Sequence, residues 1–136
     1  CHSMQGEGEN IGPDLTQLGT RFSPQDILKA IIEPNDVISD QYNTTVYTLK
    51  DGKSIVGRLM NETEQNYIVS QNPYAPDQTR EIPKDQVVDT KLSTVSWMPP
   101  GTINRLNAEE VKDLLAYLVA GGNPDNPIYT ETGANQ

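Results

Sequence analysis

Residues 44–60, TTVYTLKDGKSIVGRLM, decide the fold of the middle of the chain. Up to Lys50 the residues alternate between two faces with the period of two that is typical of a β-strand. Asp51-Gly52 follows, and this dipeptide between alternating segments is the strongest short signal for a β-hairpin. The return strand is predicted to run from Ile55 to Met60. The stretch therefore predicts two antiparallel strands joined by a tight turn.

Three further segments downstream have the length and composition of short strands. They are residues 67–70, 79–82 and 87–92, and a loop rich in proline and asparagine occupies 72–77. Five short strands with tight turns between Thr44 and Leu92 indicate a small curled sheet or barrel.

Helix signals lie on both sides of this β segment. Ser23-Pro24-Gln25-Asp26 combines an N-cap serine, a proline at the first helical position and an acid in the first turn. The second helix begins at Asn107, with Glu110 completing a capping box, and ends at Gly121-Gly122. Each helix has an apolar stripe at helical spacing, made of Ile27, Leu28, Ile31 and Ile32 in the first and of Val111, Leu114, Leu115 and Leu118 in the second. The predicted fold class is α+β, with residues 123–136 as a polar tail on the surface or disordered.

The amino-acid composition disfavours some classes of binding partner. The 136 residues include 19 acidic and 10 basic side chains, for a net charge of -9, which disfavours binding to nucleic acid or to anionic lipid and favours a basic protein partner. No apolar run approaches the roughly 18 residues of a membrane span. The apolar fraction of 35% and the mean hydropathy of -0.60 are low for a self-sufficient globule, and a large cofactor would supply apolar interior. A single cysteine excludes an internal disulfide.

Cys1-His2 and Met98 are the candidate residues for chemistry. Cysteine followed by histidine is the end of the C-x-x-C-H haem attachment motif. His2 and Met98 together offer one imidazole nitrogen and one thioether sulfur, the axial pair of many c-type haems. Taken alone, His2 would be a solvent-exposed imidazole and Met98 a core-filling side chain. Met60 and Met4 are competing sources of sulfur, but Pro99 and Pro100 favour Met98 because they hold it in an irregular loop.

With these pieces in order, the sequence resembles a class I cytochrome c. The resemblance is carried by Cys1-His2, residues 12–16 (GPDLT), 21–23 (RFS), 38–42 (ISDQY), Met98-Pro99 and residues 113–118 (DLLAYL). More narrowly, it is similar to the haem-binding domain at the C-terminal end of large secreted proteins of planctomycetes and related bacteria. The resemblance implies a class I cytochrome c helical fold in residues 1–43 and 93–122, interrupted by a β insertion in residues 44–92.

The resemblance also implies roles for individual residues. Cys1 would form a thioether with one covalently bound haem c, and a cysteine upstream of the given chain is expected to form the second. His2 would be the proximal ligand and Met98 the distal ligand, while the carbonyl of Pro13 would fix the other ring nitrogen of His2. Arg21 would pair with a haem propionate or lie in solvent. Apart from the resemblance, Trp97 beside Met98 is a candidate cofactor-binding residue, expected to be a packing residue rather than an electron conduit.

The function implied is one-electron transfer without bond making. The chain would be an electron-transfer protein, or the electron-transfer domain of a larger dehydrogenase, in the periplasm or outside the cell, with redox proteins as partners. One alternative is a small SH3-like or Sm-like barrel that binds a peptide or protein, because residues 46–69 resemble the opening strands of such barrels. A lipoprotein with a lipidated Cys1 is less consistent with the residues that follow. A cysteine nucleophile is also disfavoured, since no second histidine is present to act as its base.

Overall fold

The computed structural model describes residues 1–130 as two compact units. The helical unit is formed by Cys1–Asp36 together with residues 99–130, and the β unit by Val37–Met98. The predicted boundaries at 43/44 and 92/93 both fall inside the β unit, which therefore includes Trp97 and Met98. Among the described residues, no helix has the length and apolar character needed to cross a membrane.

The helical unit contains a small hairpin and three helices, and residues 128–130 of its described part are helical as well. The bounds of the hairpin strands and of the three helices are β1 (Ser3–Met4), β2 (Glu7–Gly8), α1 (Leu18–Arg21), α2 (Pro24–Ile32) and α3 (Ala108–Val119). The hairpin turns at Gln5 and Gly6, which have φ of 54° and 81°. Positive φ at both central residues is the requirement of a type I′ hairpin turn. Sequence reasoning missed this hairpin because glutamine seldom adopts that conformation.

Reciprocal side-chain caps begin both predicted helices where the sequence placed them. The hydroxyl of Ser23 accepts the backbone N–H of Asp26 at 3.1 Å, and the carboxylate of Asp26 accepts the N–H of Ser23 at 3.3 Å. Asn107 and Glu110 exchange the equivalent bonds, both at 2.9 Å. Each box satisfies two N–H groups that the helix itself cannot pair. The boundaries were predictable because they depend on residues three positions apart.

Glycine allows α1 to lie directly against the end of α3. A Cβ on Gly19 would be 2.2 Å from the carbonyl oxygen of Val119, far closer than van der Waals contact. Helix α3 ends just beyond, where Gly121 and Gly122 have φ of 62° and 75°. Close backbone approach thus replaces side-chain packing at this crossing.

The β unit is a five-stranded antiparallel sheet. Its strands are β3 (Thr45–Leu49), β4 (Ser54–Glu62), β5 (Asn66–Ser70), β6 (Thr79–Pro83) and β7 (Val87–Leu92), with short 3-10 helices at Asp40–Tyr42 and Lys84–Gln86. The order across the sheet is β6-β5-β4-β3-β7. The chain therefore runs as a meander through four neighbouring strands and then returns to pair β7 with β3.

The Asp51-Gly52 hairpin joins β3 to β4 as predicted. Gly52 donates its N–H to the carbonyl of Leu49 at 3.0 Å, and Leu49 donates to the carbonyl of Lys53 at 2.8 Å. Gly52 has φ of 83°, and Asp51 caps the turn by accepting the N–H of Lys53 at 2.9 Å. This is a three-residue hairpin loop closed by a left-handed glycine.

The core of the β unit lies on the inner face of the sheet. Four buried side chains form it, namely Tyr47, Ile55, Val69 and Ile82. The ring of Tyr47 lies 5.0 Å from that of Tyr67, and burial is the main cause that raises the pKa of the Tyr47 hydroxyl. On the same face, a Cβ on Gly57 would be 2.4 Å from a methyl of Val69, so the absence of a side chain there lets the strands approach.

The α+β class and the five-stranded sheet are confirmed, and all five predicted strands are present within two residues of their predicted ends. Sequence reasoning missed β1, β2, α1 and the 3-10 helices. The class I cytochrome c helical fold and the SH3-like or Sm-like character of the sheet remain predictions. Of the predicted tail, residues 131–136 lie outside the described part of the chain.

Candidate functional site in the N-terminal segment and the Met98 loop

Three of the predicted site residues come together in the N-terminal segment of the helical unit. Cys1 is exposed, with a free thiol, and His2 follows it at the start of the hairpin. The ring nitrogen Nδ1 of His2 lies 2.8 Å from the carbonyl oxygen of Pro13. This is the contact that the resemblance implies for these two residues, while their role toward a haem remains a prediction.

The bond to Pro13 determines which ring nitrogen of His2 is available. A carbonyl oxygen can only accept, so Nδ1 carries the proton and donates it. The other nitrogen, Nε2, then has its lone pair free for a metal. The imidazole is thereby set in the tautomer that an axial ligand requires.

Gly12 holds the imidazole by close contact. A Cβ on Gly12 would lie 2.6 Å from Cε1 and 2.7 Å from Nδ1 of His2. The backbone at Gly12 is itself tied to the start of the chain, because its N–H donates to the carbonyl of Cys1 at 2.7 Å. Only glycine leaves room for the ring at this distance.

A carboxylate closes the loop that returns from His2 to Pro13. Asp14 accepts the hydroxyl of Ser3 at 2.8 Å and the backbone N–H of Thr16 at 2.9 Å, while Leu15 donates its N–H to the carbonyl of Ser3 at 2.8 Å. Hydrogen bonds from Thr16, and after them the one from Ser3, lower the pKa of Asp14 below its ordinary value. The ionised carboxylate therefore joins the two arms of the loop on either side of His2.

Gln5 fixes the same loop to the end of α3. Its backbone N–H donates to the hydroxyl of Thr16 at 2.8 Å, and its side-chain amide donates to the carbonyl of Gly121 at 2.7 Å. A left-handed conformation is unfavourable for a residue with a side chain, and these bonds compensate for it. The hairpin that follows His2 is thus held by hydrogen bonds to Thr16 and to Gly121.

Arg21 lies in the helical unit but outside this hydrogen-bonded loop. Its guanidinium carbon is 5.4 Å from the centre of the ring of Phe22, and its side chain is exposed. A cation over an aromatic face is a weak, solvent-exposed interaction. The predicted pairing of Arg21 with a propionate remains a prediction.

Trp97 and Met98 lie at the end of the β unit, both half-buried. The backbone N–H of Met98 donates to the hydroxyl of Ser96 at 3.1 Å, so the residue sits in a local turn. Trp97 lies beside Arg58, whose guanidinium carbon is 5.6 Å from the centre of the indole ring and 4.8 Å from that of Tyr42. Sequence reasoning missed Arg58 and Tyr42, since nothing in their local sequence indicates that the fold brings them together.

The competing sulfur atoms are in different environments. Met60 lies in β4, where its side chain is exposed. Met4 lies in β1, and a Cβ on Gly122 would be 2.8 Å from its sulfur, so Met4 packs on the end of α3. Met98 differs from both in lying in an irregular, proline-flanked loop.

Residues 1–130 contain no group of three or more His, Cys, Asp or Glu side chains placed to hold a metal ion. A haem needs only two protein donors, and an imidazole with a thioether is a suitable pair. A haem also needs apolar side chains to pack against its porphyrin. The buried apolar residues described in the helical unit are few and mostly small, namely Ile27, Pro34, Ala116, Leu118 and Ala120.

Larger apolar side chains of the helical unit remain partly exposed. Phe22 retains 44% and Ile32 retains 53% of its accessible surface, and Leu106 and Tyr117 are exposed as well. A porphyrin is a large apolar surface against which such side chains can be buried. The imidazole of His2 and these exposed apolar side chains are of the chemical types that hold a haem, and haem binding itself remains a prediction.

A groove on the β unit is a second candidate site. It is lined by Leu49 of β3, Ile55 of β4 and Ile82 of β6, and its charged lining residues are Arg80, Glu81 and Asp51. Apolar and polar residues share the lining equally, so the groove is more polar than the usual small-molecule site.

Comparison with known proteins gives no match, either to the models of protein families or to curated protein sequences.

Proposed function

We propose that the chain is a monohaem c-type cytochrome unit that transfers single electrons, with His2 and Met98 as the axial ligands. The observation that carries the proposal is the 2.8 Å bond from Nδ1 of His2 to the carbonyl of Pro13, with the backbone of Gly12 against the ring. A metal-ligating histidine almost always donates its other ring N–H to a carboxylate, a backbone carbonyl or water, and the bond to Pro13 is of this kind. The adjacent free thiol of Cys1 is in the place where haem attachment requires one.

The residues of the chain would each contribute to holding and tuning a haem. Pro13 keeps the proton on Nδ1 and so directs the lone pair of Nε2 outward. Cys1 would form a thioether with the haem. The soft thioether of Met98 would favour the reduced state and so raise the potential relative to a second imidazole. When bound, the haem supplies an iron that cycles between Fe(II) and Fe(III).

The proposed cofactor also gives the helical unit a larger core. Its exposed Phe22 and Ile32 would lose accessible surface against a porphyrin, at about 25 cal/mol for each Å² of apolar surface removed from water. Covalent attachment would keep this surface covered in both redox states. The class I helical fold is proposed on the same grounds.

The partners proposed are redox proteins with basic docking surfaces. The net charge of -9 favours attraction to a positively charged face. A dehydrogenase, fused upstream or separate, would be the electron donor. The proposed location is the periplasm or the cell exterior, following the resemblance to secreted haem-binding domains.

The test is the visible spectrum of the protein, isolated from its source or from a host that attaches haem. The reduced protein should show the sharp bands of low-spin c-type haem, keep its colour after acid-acetone extraction and have the mass of a haem adduct. Met98→Ala should abolish the weak near-infrared sulfur-to-iron band of the oxidised protein, because it removes the distal ligand. Met60→Ala is the matched control and should retain the band.

Two outcomes would contradict the proposal at different points. A colourless protein would reject haem binding altogether. A coloured protein whose near-infrared band survives in Met98→Ala but disappears in Met60→Ala would keep the cytochrome and reassign its ligand.

A second candidate function is a small barrel module that binds a peptide or protein. The groove lined by Leu49, Ile55 and Ile82, with Arg80 and Glu81, favours it. The same spectrum separates the two functions, because the binding module predicts a colourless protein.

A further inference from the structure

The segment that leads to Met98 is tied to the beginning of the β unit. The backbone N–H of Ser93 donates to the carbonyl of Thr44 at 2.8 Å, and the hydroxyl of Thr44 donates to the carbonyl of Val95 at 3.2 Å. Thr44 is only 4% exposed, so these bonds are shielded from water. Residues 93–95 therefore follow a fixed course, and the chain is constrained just before Trp97 and Met98.

A second contact that constrains the segment is made by Trp97 itself. Arg58 of β4 lies over two aromatic rings, with 4.8 Å from its guanidinium carbon to the centre of Tyr42 and 5.6 Å to that of Trp97. Tyr42 ends a 3-10 helix, and Trp97 immediately precedes Met98. We call these three residues the Arg58 stack. It joins the start, the middle and the end of the β unit, and all three side chains are half-buried.

Arginine suits this position better than lysine. Its planar guanidinium can lie flat against aromatic rings, whereas an ammonium is a compact and strongly hydrated point charge. Two cation–aromatic contacts made by one guanidinium contribute more stabilising free energy than a single exposed contact does. The stack can therefore hold Trp97, and with it the backbone of its neighbour.

A methionine sulfur is a neutral ligand whose hold on iron depends on how well the chain presents it. If the loop is ordered before ligation, little conformational entropy is lost when the bond forms. If the loop is loose, an added ligand competes more effectively for the same position on the metal. The ordering of residues 93–98 thus bears directly on how firmly Met98 would stay bound.

We propose that Arg58, over the rings of Tyr42 and Trp97, is a positioning residue that holds Met98 where it ligates the haem iron. The inference rests on the proposed function, in which Met98 is the distal ligand. It gives the β unit a role: the sheet is the frame that presents the distal ligand.

The experiment is a titration of the oxidised, haem-loaded chain with imidazole. Binding of imidazole is monitored by the decrease in intensity of the near-infrared band. Arg58→Met should raise the apparent affinity for imidazole about tenfold. This factor corresponds to the stabilisation of the Met98 loop that is lost with two cation–aromatic contacts. Arg58→Lys should restore part of the original resistance to imidazole. Lys91→Met is the matched control, because it removes one exposed positive charge from the same unit, and it should leave the affinity unchanged.

A double variant separates positioning from a general structural effect. In the Met98→Ala background the sixth position is already open, so adding Arg58→Met should not change imidazole affinity further. An equal effect of Arg58→Met in both backgrounds would overturn the inference. Tyr42→Leu removes one ring while keeping the arginine, and it should raise the affinity about threefold. If Arg58→Met does not fold, an unchanged affinity in Tyr42→Leu overturns the inference by itself.

Failure of this inference differs from failure of the proposed function. If Met98→Ala itself leaves the near-infrared band and the imidazole affinity unchanged, the ligand assignment is wrong. If Met98→Ala changes both but neither Arg58→Met nor Tyr42→Leu does, the ligand assignment stands and the positioning role of Arg58 is rejected.

Discussion

Replacing Gly12 by alanine tests whether the backbone at this position sets the orientation of His2. The new methyl carbon would lie 2.6 Å from Cε1 and 2.7 Å from Nδ1 of the ring. Non-bonded carbon atoms prefer separations of about 3.5–4.0 Å, so the ring must move by about 1 Å. Gly12 does not have a positive φ, and the methyl group is therefore the only source of strain.

This displacement is large enough to break the bond to Pro13. The distance from Nδ1 to the carbonyl oxygen is 2.8 Å, and a shift of about 1 Å takes it beyond the range of a hydrogen bond. A hydrogen bond of this kind contributes about 1 kcal/mol, which corresponds to a factor of about 5 between the two neutral tautomers of His2. The free energy of unfolding should fall by about 1 kcal/mol, the contribution of the lost hydrogen bond, because the displaced group is a movable side chain and adds little further strain.

The assay is nitrogen NMR of the imidazole in chain produced without haem attachment, at a pH where the ring is neutral. The chain has one histidine, so its ring signals need no assignment by mutation. The native chain should show the Nδ1–H tautomer in excess, and Gly12→Ala should lower that excess about fivefold. Asn10→Ala, an exposed change in the same loop, should have no effect. An unchanged tautomer ratio in Gly12→Ala would refute the argument that contact with Gly12 orients the ring.

Two further predictions concern the β unit. Gly57→Ala should destabilise it by about 2 kcal/mol in urea unfolding, because the methyl would overlap Val69 and the carbonyl of Ser70 in the packed core; a loss no larger than that of the exposed change Ser54→Ala would count against this packing. Burial raises the pKa of Tyr47 above its ordinary value of 10.0, so the folded state favours the protonated hydroxyl, and this contribution to stability should be complete below pH 10 and decline above it. Tyr47→Phe should make the alkaline loss of stability less steep, and an equally steep loss would show that Tyr47 is not its source.

Local signals made much of the secondary structure predictable. The capping boxes at Ser23 and Asn107 and the turn at Asp51-Gly52 involve residues within a few positions of one another. Strand alternation is equally local, which is why the five strands of the sheet were found. The hairpin at Gln5-Gly6 escaped prediction because its conformation is stabilised from outside, by Thr16 and by Gly121.

The candidate site also has features that the sequence indicates and features that only the fold creates. The residue types alone suggested Cys1, His2 and Met98 as candidates, whose roles remain predictions, and the resemblance supplied Pro13 as the hydrogen-bond partner of His2. The position of Arg58 between Tyr42 and Trp97 was not visible, since these residues are far apart in the chain and none has a local signature.

The sequence by itself determined where helices and strands begin and which side chains could bind a metal, because capping, alternation and donor chemistry are properties of neighbouring residues. The tertiary structure decided which ring nitrogen of His2 is free and what holds the Met98 loop. Both depend on backbone approaching within van der Waals contact or on side chains from separate elements meeting, and such contacts exist only once the chain has folded.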